Sequence, residues 1–171
     1  MLKIYNEYQK YGVEDYYKNF SSKYTNPHED KITMIYNKYI KELINKKDKI
    51  LDIACGDGLI CRLVNEYNNN YNTEGCDPYF NNKYCKLNLS FEDISKGKLL
   101  NKYDIGICCY AYHLISIEMR YDFLTNLALS LDKFIIITPS KKIIINHPLW
   151  NIFKIIREDK ITIIILDKKY Y

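Results

Sequence analysis

The sequence is poor in several features that mark common classes of protein. Its apolar runs, such as residues 134–137, are only a few residues long, whereas a membrane-spanning helix needs roughly 20. Residues 1–12 carry charged side chains and no apolar stretch, so we expect no secretory signal. Only three of the 25 basic residues are arginine, the residue best suited to phosphates and base edges. This scarcity weakens, without excluding, an interpretation as a nucleic-acid-binding protein.

The cysteines and histidines show no metal-binding spacing. None of the six cysteines forms a C-x-x-C pair, and the three histidines are far apart, so we predict no metal site. We expect the cysteines to be free thiols in a reducing compartment. The cytoplasm is the predicted location, with the nucleus as an alternative.

Length and composition predict a single globular domain. The chain has 171 residues, of which 47% are hydrophobic and 27% charged, and two domains of half this size would have small cores. We expect a helical N-terminal cap at residues 1–47 and a core at residues 48–171. The net charge of +4 permits RNA as a partner but does not indicate it, because no basic stripe is present.

Alternating strand and helix patterns predict an α/β fold. Strand patterns occur at 49–55, up to residue 77, near 84–89, at 103–110 and at 133–139. Only about ten residues precede the third strand, too few for a crossover helix, so we expect a loop at 79–83. Residues 152–157 and 161–167 read as a β-hairpin. We predict a mostly parallel sheet of seven strands with helices on both faces and an antiparallel edge strand from the hairpin.

Three helix starts have recognisable caps. Asn26 followed by Pro27 and Glu29 predicts a capping box at the helix before the first strand. The segment S-F-E-D at 90–93 resembles a second capping box, and Ser116 is a candidate cap for the long helix that follows.

The strongest functional signal is I-L-D-I-A-C-G-D-G at residues 50–58, a strand that runs into a glycine turn before a helix. Ligands bind beyond the carboxyl ends of such strands. The dinucleotide fingerprint G-x-G-x-x-G is not met, because its positions hold Ala54, Gly56 and Leu59. A P-loop is also absent. Asp57 within the turn would repel a phosphate, whereas the sulfonium and ammonium groups of S-adenosylmethionine would be attracted.

Residues 50–58 resemble motif I of the class I S-adenosylmethionine-dependent methyltransferases. Further matches are Asp77, which lies 19 residues after Gly58, then 103–104, 110–114 and 138–142. The resemblance covers roughly residues 48–167 and implies the Rossmann-like class I methyltransferase fold. The segments 24–29, 77–79 and 89–94 look more narrowly like a branch of small methyltransferase-like proteins, a match that names no acceptor.

The resemblance implies S-adenosylmethionine as cofactor. Asp77 would accept hydrogen bonds from the ribose hydroxyls, and Asp52 would act indirectly near the amino group. Cys55 has no base beside it in the sequence, so we expect it to pack and to contact the cofactor through its backbone. For adenine, Asn88 and Asp93 are alternatives, and Asp93 is equally a helix-capping carboxylate. The implied cofactor-binding residues are Asp52, Ala54, Cys55, Gly56, Asp57, Gly58, Asp77, Pro78, Asn88, Asp93 and Tyr110.

The acceptor side is less defined. His113 is the candidate general base, because an imidazole can take a proton near neutral pH; the alternative is a structural histidine at a helix entrance. Of Tyr110 and Tyr112, we expect one to line the site and the other to pack in the core. The candidate catalytic residues are His113 and Tyr110. The candidate substrate-binding residues are Tyr17, Tyr24, His28 and Tyr112.

The predicted function is methyl transfer from S-adenosylmethionine to an acceptor that the sequence does not identify. A small molecule is preferred over RNA or protein. One alternative is a non-catalytic S-adenosylmethionine-binding subunit that activates a partner protein, and another is a different nucleotide-binding α/β enzyme. We expect no metal and no membrane as partners.

Overall fold

A sheet of seven strands forms the centre of the computed structural model, which describes residues 10–20, 26–139 and 143–170. The strand order is β3-β2-β1-β4-β5-β7-β6. The strands are β1 (Ile50–Ile53), β2 (Thr73–Cys76), β3 (Cys85–Leu87), β4 (Tyr103–Cys109), β5 (Leu131–Thr138), β6 (Trp150–Glu158) and β7 (Ile161–Lys168). Strands β1 to β5 are parallel, so the predicted mostly parallel, seven-stranded sheet is confirmed.

The C-terminal hairpin consists of β6 and β7. Strand β7 pairs antiparallel with both β5 and β6, so the outer strand β6 runs parallel to β5. The turn consists of Asp159 and Lys160, both with positive φ, which suits a tight hairpin turn. The predicted C-terminal antiparallel hairpin is confirmed. Because its second strand inserts next to β5, its first strand, β6, forms the edge of the sheet and pairs antiparallel with β7.

Helices cover both faces of the sheet, as predicted. They are α1 (Val13–Phe20), α2 (Glu29–Ile35), α3 (Leu59–Asn68), α4 (Phe91–Ser95) and α5 (Ile117–Ser130). The side chains of β5 alternate: Phe134 and Ile136 pack against α5, whereas Ile135 and Ile137 pack with residues of α2 and α3. Within the described residues, no helix combines the length and apolarity needed to cross a membrane.

The helix starts agree with the sequence in two of three cases. Ser90 and Asp93 form the reciprocal capping box of α4, and the Ser116 side chain caps α5. Helix α2 begins later than predicted, because the Asn26 side chain accepts the backbone N–H of His28 at 3.0 Å and forms a turn outside the helix. The predicted loop between β2 and β3 is confirmed.

The end of β6 and the turn before β7 form hydrogen bonds and an ion pair with the helical segment that begins with α2. After Ile35 this segment continues as a π-helix, Tyr36–Ile40, and a 3₁₀ turn, Lys41–Leu43. Lys38 forms an ion pair with Glu158 at 2.8 Å, and the Tyr39 hydroxyl donates to the same carboxylate. Lys31 donates to the Asp159 carbonyl. These contacts therefore connect the helical segment before β1 to the C-terminal hairpin, across more than a hundred residues of sequence.

Candidate functional site

A cavity of about 260 Å³ lies at the carboxyl ends of β1, β2 and β4. Strand β1 connects to β2 on one side, while β4 pairs on its other side, so the cavity sits where the order of the strands reverses. This is the usual ligand position in open α/β sheets. The end of β1 and the turn after it supply residues 52–57 to the lining. Residues 77–79 follow β2, and residues 109–111 comprise the last residue of β4 and the two that follow it.

Two residues beside the cavity adopt the left-handed backbone conformation without being glycine. Ala54 follows β1 with φ 56°, and Tyr110 follows β4 with φ 56°. Each such residue costs on the order of 1 kcal/mol or more. Both line the cavity, and the Tyr110 backbone is held by its N–H donating to Ile137 at 2.7 Å. Strain of this kind concentrates at ligand sites.

The two glycines of the turn differ in role. Gly56 lines the cavity, whereas Gly58 does not. Gly58 has φ 84°, and a Cβ there would lie 2.5 Å from the Tyr84 ring. Gly58 is therefore required by the turn and by close packing against Tyr84, and the structure gives it no place on the cavity wall, contrary to the expected ligand contact.

Asp77 lies on the cavity wall with its carboxylate fixed by backbone donors. The N–H of Gly56 donates to Oδ2 at 3.1 Å, and the N–H of Tyr79 donates to Oδ1 at 2.9 Å. The residue is 6% exposed, and burial raises the pKa of its carboxyl while the backbone donors oppose that rise. The Phe80 backbone is a third donor to this carboxylate. Because a carboxylate has about four acceptor positions, Asp77 can still accept a hydrogen bond from a ligand.

Asp52 is more deeply buried. It lies at 2% exposure on the α3 side of β1, where the Cys61 thiol donates to Oδ2 at 3.7 Å. Burial raises the pKa of Asp52 well above its ordinary value. Asp57 is partly exposed, with its carboxylate 3.6 Å from the Arg62 guanidinium.

The cavity lining is acidic and otherwise mainly apolar and aromatic, with Asn26 and Ser90 as further polar residues. Among the described residues, the charged side chains that line it are Asp52, Asp57 and Asp77, and no lysine, arginine or histidine joins them. Unpaired phosphates would be repelled in such surroundings, whereas a cationic ligand would be attracted. The cavity thus has the charge expected for a ligand with positive groups and an apolar body.

Neither residue proposed for adenine lines the cavity. Asn88 is exposed beyond β3. The Asp93 carboxylate accepts hydrogen bonds from the Ser90 backbone N–H, from the Ser90 hydroxyl and, at 2.6 Å, from Lys98. The hydrogen bond from Lys98 is the main reason that the pKa of Asp93 lies well below its usual range. Asp93 therefore serves as a cap. The cavity wall that follows β3 consists instead of Leu89, Ser90, Phe91 and Ile94.

That apolar wall was not identified from the sequence. Leu89 and Phe91 read as ordinary core positions beside a capping box, and their hydrophobicity gives no functional signal. The available signal was positional, because these residues directly follow a parallel strand at the ligand-binding edge.

Of the two tyrosines after β4, one lines the cavity and the other packs in the core, as expected. Tyr110 lines the cavity and stacks on His28 with ring centroids 4.7 Å apart. Tyr112 is fully buried and packs on Phe123 and Phe134. The prediction of Tyr112 as a substrate-binding residue is wrong, because the left-handed turn at Tyr110 directs the following segment into the core.

The predicted base His113 does not line the cavity. It is exposed on the short 3₁₀ turn Tyr112–Leu114, whose last residue reaches the cavity instead. His28 is better placed, since it stacks on a lining residue. Burial lowers the pKa of His28, which favours the neutral form of its imidazole.

Of the remaining predicted residues, three line the cavity and one lies outside the described part of the chain. Tyr17 of α1 lines the cavity and stacks on Tyr79 with ring centroids 6.0 Å apart. Cys55 and Pro78 also line it. Tyr24 lies outside the described residues. In the part of the chain that the structure describes, no three metal-ligating side chains converge.

Solved structures with a similar fold include S-adenosylmethionine-dependent methyltransferases. Magnesium protoporphyrin IX methyltransferase from Synechocystis, solved with bound SAM, superposes with a TM-score of 0.59 at 14% identity, over 83% of this chain and 80% of that one. PigF, solved with SAH, gives a TM-score of 0.62 at 12% identity, over 99% of this chain and 70% of that one.

An O-methyltransferase family protein from Burkholderia thailandensis gives a TM-score of 0.63 at 7% identity. That match covers 92% of this chain but only 59% of the other. No protein-family model and no curated protein matches the sequence. The structural likeness confirms the predicted α/β class I methyltransferase fold.

Proposed function

We propose that this protein transfers the methyl group of S-adenosylmethionine to a small organic acceptor. The observation that carries the proposal is the charge of the cavity at the strand ends, where three aspartates line the wall without a cationic side chain among the described residues. S-adenosylmethionine supplies a methyl group on a sulfonium centre, together with an ammonium group and an apolar adenine. The lining matches each of these parts in kind.

Each part of the cofactor has a candidate partner in the cavity. The Asp77 carboxylate, already fixed by Gly56 and Tyr79, would accept the ribose hydroxyls. Leu89 and Phe91 would pack on the adenine ring. The acidic end near Asp52 and Asp57 would attract the ammonium and sulfonium groups. This assignment replaces Asn88 and Asp93 as the adenine partners.

The acceptor would enter between Tyr17 and Tyr110, beside the ring of His28. Methyl transfer by in-line displacement needs alignment and removal of water more than it needs acid–base groups. The aromatic side chains supply both through their shape. Where an acceptor hydroxyl or amine must lose a proton, the neutral His28 imidazole is the group positioned to take it.

A small molecule remains the favoured acceptor. The magnesium protoporphyrin IX named for the Synechocystis enzyme is a small molecule. That name supports the same substrate class here without identifying the compound.

Calorimetric titration of the full chain tests the cofactor. We expect S-adenosylmethionine and S-adenosylhomocysteine to bind and NAD not to bind. Replacing Asp77 by alanine should weaken the binding of S-adenosylhomocysteine about 100-fold, because roughly 3 kcal/mol of charge-assisted hydrogen bonding is lost. The matched control is Asp122→Ala on the exposed face of α5, which should bind as the wild type does.

NAD binding without S-adenosylhomocysteine binding would contradict the proposal and favour another nucleotide-binding enzyme. Methyl transfer itself is tested with radiolabelled cofactor and fractionated extract, where label should enter the small-molecule pool. Cofactor binding with no labelled pool would favour the non-catalytic subunit.

A further inference from the structure

Two cysteines from different strands meet at the edge of the cavity across a glycine. Cys55 follows β1, Cys85 begins β3, and Gly75 lies on β2 between them. A Cβ on Gly75 would lie 2.6 Å from the Cys55 sulfur, so that sulfur occupies the space above the glycine. Cys85 is the register partner of Gly75, and paired residues of parallel strands present their side chains to the same face. The two sulfurs therefore share that face.

The backbones around the two cysteines are tied by one side chain. The Asn82 amide donates to the Gly56 carbonyl at 3.0 Å, and its Oδ1 accepts from the N–H of Cys85 at 3.1 Å. The Cys55 backbone N–H donates to the Cys76 carbonyl at 3.1 Å. The turn that carries Cys55 and the strand that carries Cys85 are thus held in fixed relation.

The two thiols are chemically unequal. Cys55 is 6% exposed, whereas Cys85 is only partly buried. A hydrogen bond between the two side chains lowers the pKa of Cys85 and, together with burial, raises the pKa of Cys55. A more accessible thiol of lowered pKa beside a buried thiol is the arrangement found where one cysteine reacts and the other resolves the product.

We propose that Cys55 and Cys85 form a peroxide-sensitive dithiol whose closure to a disulfide weakens cofactor binding at the proposed site. The Cys85 thiolate attacks hydrogen peroxide, the O–O bond breaks, and a sulfenic acid and hydroxide form. The Cys55 thiol then attacks the Cys85 sulfur, forming the S–S bond, and water leaves with the Cys55 proton. The two sulfurs lose two electrons in total, which the peroxide takes up.

The consequence for the site follows from the position of Cys55. It stands between Ala54 and Gly56, which both line the cavity, and the Gly56 N–H holds the Asp77 carboxylate. A bond that draws Cys55 toward β3 moves this N–H away from Asp77. This step rests on the proposed function, whereas the formation of the bond does not.

The bond is tested by peptide mapping of the full chain after treatment with hydrogen peroxide. We expect a Cys55–Cys85 cross-link that dithiothreitol reverses. In Cys55→Ser a sulfenic acid should persist at Cys85 and be trapped by dimedone, and in Cys85→Ser neither product should form. Should a variant fail to fold, the wild type still decides: Cys85 should be alkylated at least about tenfold faster than the half-buried Cys109, whose pKa burial raises.

Absence of the cross-link, or equal alkylation of Cys85 and Cys109, would overturn the dithiol. The effect on the site is measured by titrating S-adenosylhomocysteine into reduced and oxidised wild-type protein, with an expected loss of about tenfold in affinity on oxidation. Equal affinity of the two forms would overturn the link to the site. If neither form binds while the cross-link still forms, the proposed function fails and the dithiol stands.

Discussion

The two sides of the sheet differ in regularity. Strands β5 and β7 pair without interruption from Lys133 to Thr138, and isoleucines fill both faces there. Strands β2 and β3 pair only at Gly75–Cys85 and Cys76–Leu87, with an irregularity between them. The irregular side also borders the buried carboxylates and both thiols of the proposed dithiol.

This difference separates stability from binding. Buried carboxylates cost free energy in the absence of a ligand, and those of the described residues, Asp52 and Asp77, both lie on the β1–β2–β3 side. The β5–β7 side contributes continuous apolar burial, the main favourable contribution to folding. The irregular side can exist because the regular side compensates for it, and the following substitutions test this division.

The largest effect is expected from Phe134→Ala on the regular side. Phe134 packs on Phe123, Tyr112 and Trp150, with ring centroids 6.2–6.3 Å apart. Its truncation should lower the free energy of unfolding by about 4 kcal/mol, measured by urea denaturation. The folded fraction should bind S-adenosylhomocysteine as the wild type does. A loss of affinity in that fraction would break the division between the two sides.

On the irregular side, Asp52→Asn should raise the free energy of unfolding rather than lower it. Burial raises the pKa of Asp52 in the folded state, so its contribution to stability is present below the unfolded pKa and is lost as the pH rises through the folded pKa. The asparagine should therefore stabilise the ligand-free protein by about 1.5 kcal/mol at neutral pH. The gain should vanish below the ordinary aspartate pKa of 3.8, as measured by denaturation across pH. The affinity of the Asp52→Asn variant for the cofactor should fall. If the variant is less stable than the wild type at neutral pH, the buried carboxylate does not carry the cost assigned to it.

Tyr112→Phe tests the boundary between the two sides. The Tyr112 hydroxyl is buried and has no hydrogen-bond partner, so its removal should raise the free energy of unfolding by about 1 kcal/mol. The matched variant Tyr110→Phe changes a cavity residue and should alter methyl transfer while leaving stability near that of the wild type. Loss of methyl transfer in Tyr112→Phe would return this residue to the site.

The smallest effect is expected from Ala54→Gly. Relief of the left-handed strain is partly offset by the greater backbone freedom of glycine when unfolded, leaving a gain of about 0.5 kcal/mol. Thermal unfolding measures this gain. A loss of stability would show that Ala54 is not strained in the sense argued above.

The sequence predicted the parts of the site that have local signals. The turn at 54–58 and Asp77 follow from strand ends and glycine positions, and the cap at Ser90 follows from residue types three apart. The positions of Tyr112 and His113 could not be predicted in this way, because they depend on one left-handed residue, Tyr110, that reorients the chain. The sequence did not identify the apolar wall that we propose for adenine, because an apolar residue that lines a cavity and one that packs in the core look alike in a sequence.

The attachment of the hairpin turn to the segment after His28 has a consequence for assembly. Lys31, Lys38 and Tyr39 contact Glu158 and Asp159, so the early helical segment completes its contacts only after the last strands have been synthesised. Contacts so distant in sequence form late and slow folding. The segment that carries Asn26, which lines the cavity, and His28, which stacks on Tyr110, should therefore be among the last parts to order. A nascent chain without its hairpin would lack a finished site.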